Sequence, residues 1–265
     1  MLFESTERRW RWLALTAVVA NIAFNYLSPR LPIGEGTIES ISGSYASLFT
    51  PAGYAFAIWG LIYLATLVYA VHLLLASQRN TYAHDLLTRP LILLNLLAMA
   101  WVAVFRLEFI ALSVAVLAAM LVASIIMFVR ATSSVARHEL SKWTLLPASL
   151  WFGWLSVAFI ANISLWAVAM DWTDAIQLEW TLAMIAVATL LGLGIGYRYR
   201  NGIYPLVIAW AAAAIWVARR TDAQLIATAA LASAIVMLAW SVYSLVRARR
   251  DRSGFRIFRG PTDAR

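Results

Sequence analysis

The sequence predicts an all-α integral membrane protein with about eight transmembrane helices, and three observations support this fold class. Hydrophobic residues make up 63% of the 265-residue chain, whereas soluble domains are about half apolar. The mean hydropathy is +0.76. Eight apolar segments approach the length of about 20 residues that a helix needs to cross a bilayer. These segments are residues 11–28, 53–76, 90–105, 109–129, 145–170, 179–197, 203–218 and 223–246.

The first two segments show where their helices begin. The first could pass for a signal peptide, but Glu4 and Glu7 precede it and no clear cleavage site follows, so we expect an uncleaved helix. The second is preceded by Thr50 and Pro51, which suit the N-cap and the first helical position. The third and seventh segments are short, so a count of seven helices stays open.

The basic residues predict the topology. Of the 21 Lys and Arg, seventeen lie on one side of the eight-helix arrangement, including a basic tail at 247–265, and four lie on the other. Positive residues favour the cytoplasmic side, so we expect both termini in the cytoplasm, most simply at a bacterial inner membrane. The net charge of +8 then reflects topology, and no nucleic-acid binding is predicted. The long outer loop, residues 29–50, is either functional or a flexible linker.

The segments lack the residues of most intramembrane chemistry. No Lys, Arg or Asp lies in their interior, and His72 is the one ionisable side chain predicted inside. Pumps, proton-coupled carriers and intramembrane hydrolases place such groups at depth. Cysteine is absent, which excludes thiol catalysis. We therefore predict no catalytic residue, no metal site and no enzyme. His72 could ligate haem iron, although a histidine near a helix end more often binds a carbonyl or a headgroup.

Asparagine and tryptophan are the remaining candidates. Asn21, Asn25, Asn95 and Asn162 should face the bundle, because a bare amide in hydrocarbon is costly. They either bond between helices or line a cavity. Several of the thirteen tryptophans lie too deep for an interfacial belt and either pack in the core or line a pocket for an aromatic or polycyclic ligand.

Three aromatic patterns stand out among these residues. The second segment is entered through FTPAGYAF, residues 49–56, and continues with Trp59 and Tyr63. In the third segment a tryptophan precedes a phenylalanine by four residues, and in the fifth a tryptophan precedes an asparagine by eight. These two pairs are Trp101 with Phe105 and Trp154 with Asn162.

The three patterns resemble the tryptophan-rich sensory protein family, also called the TspO/MBR, translocator protein or peripheral-type benzodiazepine receptor family. The second helix of that family begins with W-x-P-P-x-W-x-F, and its third and fifth helices carry the same two pairs. The chain departs from the motif at Phe49, Ala52 and Tyr54, from the third helix at Ala98, and from the fifth at Pro147. It also continues for about 95 residues beyond the family's five helices.

The resemblance implies three parts: a TspO-like five-helix bundle at 1–170 with the outer loop 29–50, three additional transmembrane helices at 171–246, and the basic tail. The family binds porphyrins, sterols and synthetic aromatic ligands beneath the loop after its first helix. A porphyrin-degrading activity proposed for some members is not carried over. Gly192 and Gly196 resemble a small-residue seam and leave a homodimer open.

We therefore expect a membrane protein that binds a lipophilic aromatic or polycyclic ligand, tetrapyrrole-like or sterol-like, as a sensor, scaffold or carrier. No cofactor is required, although a bound porphyrin or haem is compatible, and membrane lipid is a further partner. Arg106 is predicted to meet a ligand carboxylate, or else to pair with Glu108 or water. The alternative is a secondary transporter of a small neutral or amphipathic solute. The predicted ligand-binding residues are Tyr54, Phe56, Trp59, Tyr63, Trp101, Arg106, Trp154 and Asn162.

Overall fold

The computed structural model describes residues 2–34, 36–78 and 81–257, with side chains described for 8–34, 36–78, 81–173 and 176–247. Residues 258–265 of the predicted basic tail, and the side chains of 248–257, Glu4 and Glu7, lie outside the described residues. Within these ranges the chain forms helices and turns. The α-helices are α1 Leu2–Leu27, α2 Ile38–Ser44, α3 Ile58–His72, α4 Tyr82–Arg106, α5 Ile110–Ala136, α6 Leu145–Ala169, α7 Asp174–Tyr199, α8 Ile203–Arg219 and α9 Gln224–Ile257.

The all-α membrane fold is confirmed. Seven described helices are long and apolar enough to cross a membrane, and α8, with 17 residues, is shorter. At 1.5 Å per residue α8 spans about 25 Å, slightly less than the roughly 30 Å hydrocarbon core. The helix count left open by the sequence therefore depends on α8, which the sequence analysis had marked as short.

The long helices pack as a continuous bundle. Helix α1 contacts α3 and α4, α4 contacts α5, and α5 contacts α6. Helix α6 packs against both α3 and α8, and α7, α8 and α9 contact one another. Trp151 of α6 is fully buried where α6 meets α3 and donates from Nε1 to Thr66 Oγ1 at 2.9 Å. The last three helices, α7 to α9, thus join the first five long helices, α1 and α3 to α6, mainly through contacts between α6 and α8.

Helix α4 begins eight residues earlier than predicted and contains Pro90. A proline inside a helix cannot donate to the carbonyl four residues before it. That carbonyl, on Leu86, instead accepts a hydrogen bond from Arg130 Nη1 of α5 at 2.9 Å. The arginine replaces the lost bond, which is why the helix continues through a residue that the sequence analysis treated as a boundary.

The prediction that His72 alone is ionisable inside the bundle is wrong, because the added turns of α4 bury further groups. Arg11 of α1 is 4% exposed and pairs with Asp85 at 2.6 Å. His84 is buried; its Nδ1 lies 3.1 Å from Tyr69 Oη and its Nε2 3.1 Å from Gln78 Oε1. The ring of His72 contacts the rings of His84 and Trp143. These groups tie α1, α3 and α4 together at one end of the bundle.

The interhelical role of the asparagines is seen directly. Asn21 of α1 donates to Asn95 Oδ1 of α4 at 3.0 Å, and Asn25 donates to Asn21 Oδ1 at 2.8 Å. Gly192 and Gly196, which left a homodimer open, make contacts inside the chain. A Cβ on Gly192 would meet Met237 of α9, and one on Gly196 would meet Trp240. Within the described residues this glycine face therefore packs α7 against α9 of the same chain.

Candidate ligand-binding cleft

The bundle has two different ends, the loop end and the basic end. The loop end carries residues 28–34 and 36–57, and the basic end carries the turns 73–78, 137–144 and 200–202. At the loop end a cleft opens between α3, α4 and α6 and encloses about 510 Å³, counting its mouth. Its lining residues come from the loop as well as the helices: Ile38, Ser42, Pro51, Phe56, Trp59, Trp101, Phe105, Trp154, Val157, Ala158, Ala161, Asn162 and Leu165.

Five of the thirteen described lining residues are aromatic, and Trp154 of α6 contacts two of the other four rings. Its ring makes edge-to-face contacts with Phe56 at 6.3 Å and Trp59 at 6.2 Å between centroids. On the α4 side, Trp101 stacks on Phe105 at 4.9 Å. Such offset and edge-to-face pairs are the favoured aromatic geometries. The wall is therefore apolar, and its rings support one another.

Two polar groups interrupt this wall. Asn162 accepts from Trp101 Nε1 at 3.1 Å and donates to Ser113 Oγ at 2.9 Å, which joins α4, α5 and α6. Trp154 Nε1 is buried and has no hydrogen-bond partner among the described residues. A buried N–H without an acceptor loses about 1–3 kcal/mol relative to a paired one. This unpaired donor belongs to a residue of the cleft wall, and none of the described lining residues is charged.

Arg106 does not line the cleft, and the structure gives it a role different from the predicted ligand contact. Its side chain is buried, and its guanidinium donates to the carbonyls of Ser28, Gly34 and Gly36. Glu108, the alternative partner considered from sequence, instead accepts from Tyr45 Oη at 2.8 Å. A guanidinium carries five donors that suit several oxygens at once. Arg106 therefore holds the loop against the end of α4.

Other contacts fix the rest of the loop over the cleft. The short helix α2 begins with a capping box formed by Thr37 and Ser40, and it brings Ile38 and Ser42 to the cleft wall. Hydrogen bonding to Glu108 raises the pKa of Tyr45 above its ordinary value. The loop predicted to be either functional or flexible is therefore ordered along the described residues and forms part of the cleft.

Helix α8 holds the segment that enters α3. A 3₁₀ turn, Gly53–Ala57, precedes this helix. Ala52 N donates to Ala214 O at 3.0 Å, and Trp210 Nε1 donates to Ala55 O at 3.1 Å. Tyr54, which is 44% exposed, lies edge-to-face against Trp210 at 5.3 Å. A proline at position 52 would have no N–H for the first of these bonds.

The cleft therefore brings together five of the eight predicted residues: Phe56, Trp59, Trp101, Trp154 and Asn162. Tyr63 stacks on Trp59 at 5.6 Å without lining the cleft, and Tyr54 packs outside it on α8. Phe105, noted only as part of a spacing pattern, and the α2 residues Ile38 and Ser42 were not predicted as site residues. The only sequence signal for α2 was its capping pair, Thr37 and Ser40.

The bundle and its cleft define a class: an all-α integral membrane protein with an apolar, partly aromatic cleft at one end. Residues 11–243 match the TSPO-like protein family, and the chain belongs to that family. The match continues through α7 and α8 into α9, beyond the segment that carried the aromatic resemblance. Comparisons with curated proteins and with solved structures gave no match.

Proposed function

We propose that this protein binds an uncharged, flat and largely apolar ligand in the cleft and acts as a sensor or carrier for it. The observation that carries the proposal is the unpaired indole N–H of Trp154 inside an aromatic wall. A ligand with a carbonyl, ether or hydroxyl oxygen would accept from this donor while its rings lie against Trp59 and Trp101. Pockets for small molecules commonly combine apolar walls with a few such polar groups.

The residues of the cleft favour a sterol-like or neutral polycyclic ligand over a tetrapyrrole with ionised carboxylates. Arg106, the nearest candidate cation from sequence, is committed to three loop carbonyls. No histidine is among the described lining residues, and His72 lies at the basic end of α3. Burying a carboxylate without a cation is costly, and haem iron would lack an imidazole ligand here. We assign no chemistry to the cleft because it also lacks acid–base residues.

The width of the cleft implies that binding moves its walls. Although about 510 Å³ is enclosed, only a small part of it is wide enough to admit a water molecule. A ring system therefore has to separate Trp154 from Phe56 or Trp59. Edge-to-face contacts of this kind are worth about 0.5–1.5 kcal/mol each, which a flat ligand can replace with new ring contacts.

The test is a binding titration in lipid nanodiscs with progesterone, a neutral ring system with ketone acceptors, and protoporphyrin IX, which carries two carboxylates. We expect saturable progesterone binding and weaker binding of protoporphyrin. Trp154→Phe keeps an aromatic ring but removes the donor, so progesterone affinity should fall about five- to tenfold, the equivalent of one hydrogen bond. Trp180→Phe is the matched control, because Trp180 Nε1 already donates to Ser164 at 2.8 Å.

Two outcomes would overturn the proposal. One is the absence of saturable progesterone binding, and the other is equal affinity in the Trp154→Phe and Trp180→Phe variants. Tighter binding of protoporphyrin than of progesterone would reject the assignment of an uncharged ligand. Counterflow of labelled progesterone across proteoliposomes would then distinguish a carrier, which exchanges ligand between the two sides, from a sensor, which does not.

A further inference from the structure

A second cavity lies at the basic end, where α5 ends, α6 begins and α7 and α9 approach each other. It encloses about 1770 Å³, counting its open mouth, and shares no lining residue with the aromatic cleft. It lies at the junction between the first five helices and the last three. Its polar and close-packed lining includes Thr132 of α5, Lys142 before α6, Gly196 and Arg198 of α7, and Trp240 and Arg247 of α9.

Positive charge surrounds the mouth of this cavity. Lys142, Arg198 and Arg247 reach it from three different elements, and Arg200 also lines it. No carboxylate is among its described lining residues. Glu139, close in sequence, is held by Arg137 through two hydrogen bonds of 2.7 and 2.9 Å. Cations that converge from separate elements without a carboxylate create a local field that attracts an anion.

Two unpaired donors lie deeper in the same cavity. Trp240 Nε1 and Thr132 Oγ1 are both buried and have no hydrogen-bond partner among the described residues. Trp240 lies beside Gly196, where a Cβ would come within 2.6 Å of its indole nitrogen. Arg247 lies seven positions after Trp240 on α9, a rise of about 10 Å along the helix. The cavity therefore has charged residues at its mouth and, below them, two lining residues whose buried donors are unpaired.

We propose that this cavity binds the phosphate group of an anionic amphiphile. The phosphate would meet Lys142, Arg198 and Arg247 at the mouth, where ammonium and guanidinium groups form charge-assisted hydrogen bonds with its oxygens. Ester or hydroxyl oxygens one level down would accept from Trp240 and Thr132. A membrane phospholipid and a soluble organophosphate share the phosphate chemistry, and the two levels of donors match the headgroup and ester region of a lipid. The proposal does not depend on the ligand of the aromatic cleft.

Native mass spectrometry and nanodisc titrations of the full chain test this assignment. The probes are phosphatidylglycerol, phosphatidylcholine as the zwitterionic comparison, and soluble glycerol phosphate. The K142Q/R247Q variant should bind phosphatidylglycerol about tenfold more weakly, the equivalent of one charge-assisted hydrogen bond. The R8Q/R9Q variant is the matched control, because it removes two exposed arginines at the same end that do not line the cavity.

The deeper donors give a second readout. Trp240→Phe keeps the ring and the charges but removes the indole N–H, so it should weaken phosphatidylglycerol binding about threefold and leave glycerol phosphate unaffected. If glycerol phosphate displaces the lipid, the phosphate site belongs to a soluble ligand. If glycerol phosphate does not displace the lipid, the phosphate site belongs to a lipid. Equal binding of phosphatidylglycerol and phosphatidylcholine, or equal losses in K142Q/R247Q and R8Q/R9Q, would overturn the proposal.

Discussion

Replacing Arg106 with methionine should release the loop from the end of α4. Methionine keeps much of the side-chain length but removes the charge and all three hydrogen bonds to the loop. The bond to Ser28 is buried, whereas Gly34 and Gly36 are exposed and water can satisfy their carbonyls after the change. The buried hydrogen bond should contribute its full free energy and the other two should contribute less. We therefore expect the free energy of loop docking to weaken by about 3–6 kcal/mol.

Even the lower value raises the population of the detached loop about a hundredfold. Hydrogen–deuterium exchange in nanodiscs measures this directly, because the amide of Ile41 in α2 bonds to Thr37 O at 3.0 Å and should lose its protection. Arg30→Met is the control, since this exposed arginine makes one hydrogen bond, to Tyr26 O at 3.3 Å. Unchanged exchange in α2, or an equal effect from Arg30→Met, would refute the role assigned to Arg106.

The same variant separates the two accounts of Arg106. If it holds the loop, a neutral ligand should also bind more weakly, because Ile38 and Ser42 of α2 belong to the cleft wall. If it met a ligand carboxylate instead, only acidic ligands would lose affinity. A comparison of progesterone with protoporphyrin on the Arg106→Met protein distinguishes these results.

Three further changes test other contacts. Gly34→Ala should loosen the same loop, because Gly34 has φ +63 and an added Cβ would collide with the carbonyl of Arg106. Proteolysis of the loop should therefore be faster in this variant. Gly43→Ala, where the added Cβ meets open space, should leave the proteolysis rate unchanged. Trp151→Phe loses a buried hydrogen bond to Thr66 and leaves a small cavity, so the free energy of unfolding in detergent should fall by about 2–4 kcal/mol. Trp166 is partly exposed, so Trp166→Phe should lower the free energy of unfolding by less than half as much. The Tyr45–Glu108 bond should persist below the ordinary pKa of tyrosine and be lost as pH rises through the raised pKa of Tyr45. The ultraviolet difference spectrum of wild type minus Tyr45→Phe measures this titration. In the Glu108→Gln variant the titration of Tyr45 should move to a lower pH.

The core of the cleft was predictable because helical spacing sets which residues share a face. Trp154 and Asn162 lie eight residues apart, slightly more than two turns, so both point to one side of α6. Spacing does not say which neighbouring helix fills the adjacent space. Tyr63 follows Trp59 by about one turn and packs against it, yet the cleft ends before reaching it.

The errors arose where distant backbone decides the outcome. The sequence shows that Arg106 ends a helix, but not that the loop 28–36 folds back and presents three carbonyls to it. Pro90 suggests a helix start, and only the packing of α5 beside α4 shows that Arg130 can bond the carbonyl it leaves free. Both features depend on partners at least 40 residues away in sequence.

The attachment of the Gly53–Ala57 turn to α8 has a consequence for how the protein is made. Trp210 and Ala55 are 155 residues apart in sequence. At about 5–20 residues per second, the ribosome needs about 8 to 30 seconds to synthesise the intervening chain. During that interval α3 can enter the membrane, but the turn that leads into it lacks the partner that fixes it. The mouth of the cleft is therefore completed among the last steps of biogenesis, only after α8 has been inserted.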